Sequence, residues 1–310
     1  MPLHFLHCSD IHLLSLRGVG PHRFLNKRFS GGVNLMLKRG KHYDEALFDR
    51  VVEHARGHAV DRVVITGDLS NLALEHEFEH VITKLDAIGL PVTVIPGNHD
   101  AYTRGSVRRR RFERMFARFM EGERLGEDDD HFYPFVQRFN EVALIGVSSA
   151  QASLPLHAVG SVGERQLSRL DQILEALGRE GLTRIVLIHH PVMLGVSKPR
   201  HDLLDLEAFG EVIARRGAEL ILHGHEHRAV AGEIAGPDAP VPVHGISSAT
   251  NLSRHEGRKA AFSIYRIAGS EIERVVHHWD GEDFRRMSDV QIERPQEHED
   301  ASAAAADGRR

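Results

Sequence analysis

Five short clusters in the amino-acid sequence carry side chains that can bind metal. They are Asp10-x-His12, Gly67-Asp68, Gly97-Asn98-His99-Asp100, His189-His190-Pro191 and Gly224-His225-x-His227. Each is weak alone, because Asp-x-His and Gly-Asp arise by chance. In this order, each following an apolar β-like run, they specify a site. The residue types suit a pair of divalent cations. Two such ions about 3.5–4 Å apart repel each other, so their pocket needs carboxylates and a shared anion. Asp68 has two oxygens and can bridge. Imidazoles suit Zn-, Fe- and Mn-class ions, and oxygen ligands widen the choice. In an extended stretch residues i and i+2 point the same way, so Asp10 and His12 can reach one ion together, as can His225 and His227. Glycines before Asp68, Asn98 and His225 let the backbone turn sharply beside the ions.

These clusters need strands to carry them. Apolar, β-branched runs predict strands at Leu3–Cys8, Arg62–Thr66, Pro91–Ile95, Val142–Ser148, Arg184–Ile188 and Leu220–Leu222. Amphipathic periodicity predicts helices at about 44–55, 74–88, 107–120, 164–177 and 204–215 between them. Further strands are expected at 132–139, 230–234, 241–246, 261–267 and 272–279. Helices alternating with strands imply an α/β fold, with ligands bound beyond the carboxyl ends of the strands.

The five clusters resemble the calcineurin-like metallophosphoesterase superfamily over about residues 3–250, most strongly at Gly-Asn-His-Asp and Gly-His-x-His. The resemblance implies a four-layer αββα sandwich of two mixed β-sheets flanked by helices, with a dinuclear metal site at the strand ends. Asp10, His12 and His227 would hold one ion; Asn98, His189 and His225 would hold the other; Asp68 would bridge them. A bridging hydroxide would attack phosphorus, and His99 would stabilise or protonate the leaving oxygen. Asp100 is expected to orient His99. His190 stands beside His189 as an alternative ligand. The cofactors would be two divalent ions, of Mn, Fe or Zn. Many relatives place a second acid shortly after Gly-Asp; here the chain reads Leu69-Ser70-Asn71.

Other signals weigh less. His76-Glu77-Phe78-Glu79-His80 matches a zinc-protease pattern, but with Phe78, Ile82 and Leu85 forming the buried stripe both histidines face solvent. His277-His278 and the His54/His58 pair read as surface or packing residues. The arginines at 104–118 read as a solvated helix face, with Phe112, Met115, Phe116 and Phe119 facing the core. Segment 17–42 mixes basic and apolar residues without an acid, which suits a cap or contact with an anionic lipid surface.

The 310 residues are 41% hydrophobic and 27% charged, enough for a core. One cysteine excludes an internal disulfide framework, and no apolar run reaches the roughly 18 residues that span a bilayer. A net charge of −5 argues against nucleic acid. Residues 1–292 are expected to form one domain and 293–310 a disordered tail; Met1–Asp10 lacks the pattern of a leader peptide. The expected location is the cytoplasm, or the inner membrane face if 17–42 seats on lipid. The expected activity is a small-molecule phosphodiesterase such as a cyclic-nucleotide phosphodiesterase. A nucleotide-lipid pyrophosphatase, resembling UDP-diacylglucosamine hydrolases, and a non-catalytic scaffold are the alternatives. Oligomeric state is not legible.

Overall fold

A computed structural model describes residues 2–15, 43–123, 132–154, 157–198, 200–253, 255 and 257–287. The expectations for 17–42 and for 293–310 lie outside the described residues. The rest form two six-stranded mixed sheets. The first runs β12-β11-β10-β1-β2-β3, with β1 (Leu3–Cys8), β2 (Arg62–Ile65) and β3 (Val92–Val94) parallel. Antiparallel β10 (Ala261–Ala268), β11 (Glu271–Trp279) and β12 (Phe284–Arg286) extend it. The second runs β4-β5-β6-β7-β9-β8. In it β5 (Val142–Gly146), β6 (Thr183–Leu187), β7 (Leu220–His223) and β9 (Val241–Gly245) are parallel. Antiparallel β4 (Phe135–Phe139) and β8 (Val230–Ile234) form its edges.

Alternation along the second sheet divides the core. Leu144, Ile185, Leu187, Leu220 and Leu222 join Phe5 and Tyr265 of the first sheet in one buried cluster. Ala143, Ile145, Val186 and Ile221 face the other way, onto helices α5 (Glu164–Arg179) and α6 (Leu206–Arg216). Helices α1 (Glu45–Gly57) and α2 (Glu75–Asp86) bury Phe48, Val51, Phe78 and Val81 in the first cluster. Side chains at successive strand positions point to opposite faces, so each sheet buries both. The expected sandwich is thus present. Among the described residues no helix is long and apolar enough to cross a membrane.

The arginine-rich segment departs from expectation. One helix over 107–120 is replaced by α3 (Arg104–Arg108), α4 (Arg111–Phe116) and a 3₁₀ turn at Ala117–Phe119. Arg110 breaks it with a left-handed φ of 47°. Arg111 is buried, donating to the Ala73 carbonyl at 2.8 Å and pairing with Glu75 at 3.2 Å. Arg110 lines a cavity of about 580 Å³ with Arg165 and Arg169. The solvated face therefore holds only for part of the run.

Helix α2 begins at the zinc-protease-like pattern. His76 is half exposed and pairs with Glu79; His80 bonds Glu45 at 2.9 Å, so both lie away from the core. Glu77 between them is fully buried. It accepts from the backbone N–H groups of Asn71, Leu72 and Leu74 at 3.3, 3.0 and 3.0 Å. It thereby satisfies donors of the loop that leads into the helix and of its N-cap, Leu74. Burial pushes its pKa up to about 7, against the pull of those three donors. Glu77→Ala strands them and is expected to lower the unfolding free energy by roughly 2–4 kcal/mol in urea titration. A loss near zero would remove Glu77 from the structural frame of the site.

Candidate metal centre

Each of the five clusters sits immediately after the carboxyl end of a parallel strand. Asp10 and His12 follow β1, Asp68 follows β2, Asn98 follows β3, His189 follows β6 and His225 and His227 follow β7. The strands converge on their ligand-bearing ends by main-chain bonds: Asp10 N–H donates to Gly67 O at 2.9 Å and Gly224 N–H to His189 O at 3.1 Å. The turns are tight. Asp10, His12, Asp68, His225 and His227 all have left-handed φ, between 44° and 75°. Five non-glycine residues held in this costly region at one place mark a site whose geometry the surrounding fold imposes. Gly97 and Gly224 are required here by space alone. A Cβ on Gly97 would lie 2.2 Å from Asp68 Oδ1, and one on Gly224 would lie 1.9 Å from Ser9 Oγ.

The imidazoles share one arrangement. His189 Nδ1 donates to the Thr66 carbonyl at 2.7 Å, His12 Nδ1 to Ser70 O at 3.4 Å, and His225 Nε2 to His201 O at 3.0 Å. A carbonyl only accepts, so these nitrogens carry the protons and in each neutral ring the other nitrogen has a bare lone pair. The fourth ring, His227, bonds the Tyr43 hydroxyl through Nδ1 at 3.1 Å. The inward nitrogens then face one another. His12 Nε2 lies 3.3 Å from His227 Nε2, and His189 Nε2 lies 3.3 Å from His225 Nδ1. Outward hydrogen bonds that fix the tautomer are what metal-bound histidines make.

Two carboxylates sit among these nitrogens. Asp68 Oδ1 is 3.5 Å from His189 Nε2, while its Oδ2 is 3.9 Å from His12 Nε2, so its two oxygens face the two histidine pairs. Asp10 Oδ1 is 3.2 Å from His227 Nε2 and 3.9 Å from His12 Nε2. Asn98 Oδ1 is 3.2 Å from His189 Nε2. Among the described residues three sets of converging atoms result, Asp10–His12–His227, Asp10–Asp68–His189 and, beside them, His201–His225–Glu226. Asp10, Asp68, His12 and His189 are all buried. Among the described residues Asp10 Oδ1 has no hydrogen-bond donor. Burial opposes charge on both carboxyls, yet His227 holds Asp10, and His189 and His99 hold Asp68, below the usual carboxylate range. Burial also disfavours a charged His189, but Asp68 and Asp10 push it up to about 9. The pocket therefore calls for positive charge, and its bare nitrogens and orphan oxygen fit divalent cations.

His190 stands outside this set. Its Nδ1 meets Ser149 Oγ at 2.7 Å and its Nε2 donates to Ala158 O at 3.0 Å. Burial, then His189, pushes it down to about 3. Asp100 requires a correction. It does not orient His99. Its carboxylate accepts from Leu69 N, Ser70 N, Ser70 Oγ and Gly97 N at 2.9–3.1 Å, tying the Asp68 loop to the Asn98 loop. Burial and the Asp68 charge push it up to about 7. His99 is held instead by the Asn71 carbonyl, which accepts from its Nδ1 at 2.7 Å, and by its own N–H donating to Asp68 Oδ1 at 2.7 Å. Its ring stacks on Tyr102 and meets His12 edge-on, 5.0 Å between centres.

Four supporting residues were not legible beforehand. Tyr43 bonds His227. Asn71 donates to His12 O at 2.8 Å and is itself held by Glu77. His201 supplies the carbonyl behind His225. Glu226 is buried, with Oε1 3.9 Å from His225 Nε2 and 3.8 Å from His201 Nδ1. Glu226 sits within a cluster already singled out, and Glu77 stands at the third position of a helix, a capping signal. Tyr43 and His201 carry no such mark.

The calcineurin-like phosphoesterase profile matches residues 3–229, which include every cluster described above. The chain belongs to the calcineurin-like phosphoesterase family. Within curated proteins it is similar to a probable cyclic nucleotide phosphodiesterase of Synechococcus sp., 29% identical over 172 residues. That match spans 54% of this chain and 58% of the relative's length. Among solved structures, a dimetal phosphatase from Danio rerio superposes with TM-score 0.61 at 16% identity, covering 92% of this chain and 98% of the other. A purple acid phosphatase from yellow lupin (Lupinus luteus) gives 0.58 at 10% identity, over 94% and 53%. These superpositions bear on the fold, which is that of a calcineurin-like phosphoesterase.

Proposed function

We propose that this protein is a metal-dependent phosphoesterase acting on a small phosphodiester, a cyclic nucleotide being the favoured class. The observation that carries the reading is the convergence of imidazole nitrogens of His12, His189 and His227, each with its partner nitrogen tied outward, on two buried carboxylates, with His225 Nδ1 against His189 Nε2. Asp10, His12 and His227 would hold one cation, Asn98, His189 and His225 the other, with Asp68 between them. Such ions supply Lewis-acid activation of the phosphoryl group and of the attacking water. The chain's own residues do the rest. Burial excludes bulk solvent and strengthens every charge interaction at the site. The main-chain bond from His99 to Asp68 places its imidazole beside the reacting group, and the Asn71 carbonyl fixes its tautomer. In its doubly protonated form, with Nδ1–H kept on Asn71, the ring gives its Nε2 proton to the leaving oxygen and is left neutral. The choice of a cyclic nucleotide rests on the similarity to the Synechococcus protein.

The test is hydrolysis of bis(p-nitrophenyl) phosphate with Mn²⁺, followed by a panel of cyclic nucleotides, UDP-diacylglucosamine, glycerophosphodiesters and single-stranded DNA. Turnover is expected with Mn²⁺, is lost to chelator, and is fastest on cyclic nucleotides within the panel. No turnover with any divalent ion would refute the enzyme reading and favour a scaffold.

Tyr43→Phe removes the one hydroxyl that His227 meets through Nδ1 and leaves the ring packing in place. Outer-shell partners of this kind are worth about 10–100-fold in metal affinity. That loss is expected in metal titration, with fold stability unchanged. Wild-type affinity in Tyr43→Phe would show that His227 needs no such support.

A further inference from the structure

The large apolar side chains left exposed among the described residues are Val107, Leu154, Leu194, Leu204 and Leu252. Single exposed leucines are ordinary on a protein surface, but the placement of these is not random. Val107 follows β3, Leu154 follows β5, Leu194 and Leu204 follow β6, and Leu252 follows β9. All of them stand beyond the carboxyl ends of parallel strands, at the edge that carries the metal centre. The outward faces of α1, α2, α5 and α6 contribute none. The loops that bear these side chains are tied to the centre and to one another. Leu194 and Leu204 bound the loop whose His201 carbonyl accepts from His225. That loop is joined to the one carrying Leu154 by main-chain bonds from Ala158 to Arg200 O at 2.9 Å and from Leu204 to Gly160 O at 2.8 Å. Leu252 adjoins Asn251, which pairs with Tyr43, the residue that bonds His227. Val107 donates its N–H to Thr103 O, next to Tyr102, on which His99 stacks. Leu194 is 82% exposed and Leu154 and Leu204 65%, so these side chains have little protein around them.

Charge on this rim runs against the whole chain, whose net charge is −5. The exposed charged residues in 103–109 and 194–204 are Arg104, Arg108, Arg109, Lys198 and Arg200, against Asp202 alone. Residues 16–42 lie outside the described residues; the chain leaves this edge three residues after His12 and returns to it at Tyr43, and in sequence that span holds seven basic residues and no acid. Apolar side chains ringed by cations suit the boundary of an anionic bilayer, where leucines enter the headgroup and acyl region and Lys and Arg meet lipid phosphates. A nucleic acid offers the same phosphates, but its bases stack on aromatic rings, which these five positions lack. We propose that the face around the metal centre is a docking surface for an anionic lipid bilayer, with Leu194 and Leu204 inserted and Lys198, Arg200 and the arginines beside Val107 against the headgroups. The seat brings the protein to the membrane surface whichever phosphodiester it cleaves, and it does not depend on phosphoester chemistry.

The experiment measures cosedimentation of the full-length protein with vesicles of phosphatidylcholine, alone or mixed with an equal share of phosphatidylglycerol, at low and at high salt. It uses wild type, Leu194→Ser/Leu204→Ser, Lys198→Gln/Arg200→Gln and, as a control on α1, Arg50→Gln. Wild type and Arg50→Gln are expected to bind the mixed vesicles at least about 10-fold more tightly than phosphatidylcholine alone. High salt should weaken that binding, since exposed charges are screened. The leucine variant should lose at least about 10-fold in partitioning, because two leucines no longer leave water for the apolar boundary. The Lys198→Gln/Arg200→Gln variant should lose about 10-fold on the mixed vesicles and bind phosphatidylcholine as wild type does. The replaced side chains are exposed, so every variant should keep the wild-type melting temperature. Failure of wild type to bind the mixed vesicles overturns the proposal, as does equal binding by wild type and the leucine variant. Analytical ultracentrifugation reads the rival occupant. A wild-type dimer that Leu194→Ser/Leu204→Ser makes monomeric, with no vesicle binding, would assign the face to a second copy of the chain and overturn membrane docking.

Discussion

Asp68→Ala is expected to empty the centre of metal and lower phosphodiester turnover by at least about 10³-fold. Its Oδ1 faces the His189 side and its Oδ2 the His12 side, so one carboxylate can serve both. Without it, Asp10 alone must balance two divalent ions. Elemental analysis of the purified variant reads the first effect and hydrolysis with excess Mn²⁺ the second. Excess metal should not restore the rate, because the bridging position and not the affinity of one half is missing. Stability is read beside it. Against the cost of burial, His189 and His99 hold the Asp68 carboxyl below the usual range, and Asp68 in turn pushes His189 up to about 9, so the metal-free fold gains from this charge at neutral pH. Metal-free Asp68→Ala should therefore melt below metal-free wild type at neutral pH, and a cooperative melt separates the loss of metal from unfolding. A variant that keeps both ions and full rate would show that Asp68 does not lie between them.

The sequence made the five strand ends legible because two signals coincide there. Apolar β-branched runs mark the strands, and ligand-type residues stand immediately after them, where an open α/β sheet presents its ligands. Position after the strand and the family resemblance put His189 ahead of His190 as the expected ligand with His190 left as the alternative, and in the structure both nitrogens of His190 are engaged by Ser149 and Ala158. What escaped the sequence is main-chain in origin. His99 is oriented by the Asn71 carbonyl, and every residue has a carbonyl, so no side-chain pattern announces it. Asp100 misled for the complementary reason. A carboxylate next to a histidine reads as its partner, yet the turn directs it onto backbone N–H groups of the neighbouring loop. Arg110 escaped because helical periodicity over 107–120 carries no sign that one residue turns left-handed. Tyr43 reaches His227 across 184 positions of chain, a contact only the folded sheets create.

His99→Ala should keep both ions and lose roughly 10²–10⁴ in rate on substrates with poor leaving groups. The argument turns on which atoms of His99 do what. Its contact with Asp68 is made by the backbone N–H, which alanine retains, so the carboxylate stays where it is. Its imidazole meets the Asn71 carbonyl, which tolerates exposure to water once the ring is gone. Metal content should therefore match wild type while the proton donor is absent. A p-nitrophenolate leaves without a proton, so bis(p-nitrophenyl) phosphate should be hydrolysed at close to the wild-type rate. A ribose alkoxide does not, so a cyclic nucleotide should show the full loss. The ratio of the two effects reports acid catalysis more cleanly than either rate, because a general disturbance of the centre would slow both. The same ratio tests the corrected place of Asp100. Asp100→Asn weakens the link between two loops and should slow both substrates by a similar factor, since the residue does not hold the His99 ring. A selective loss on the cyclic nucleotide in Asp100→Asn would return Asp100 to the proton-transfer chain, and equal losses on both substrates in His99→Ala would remove His99 from it.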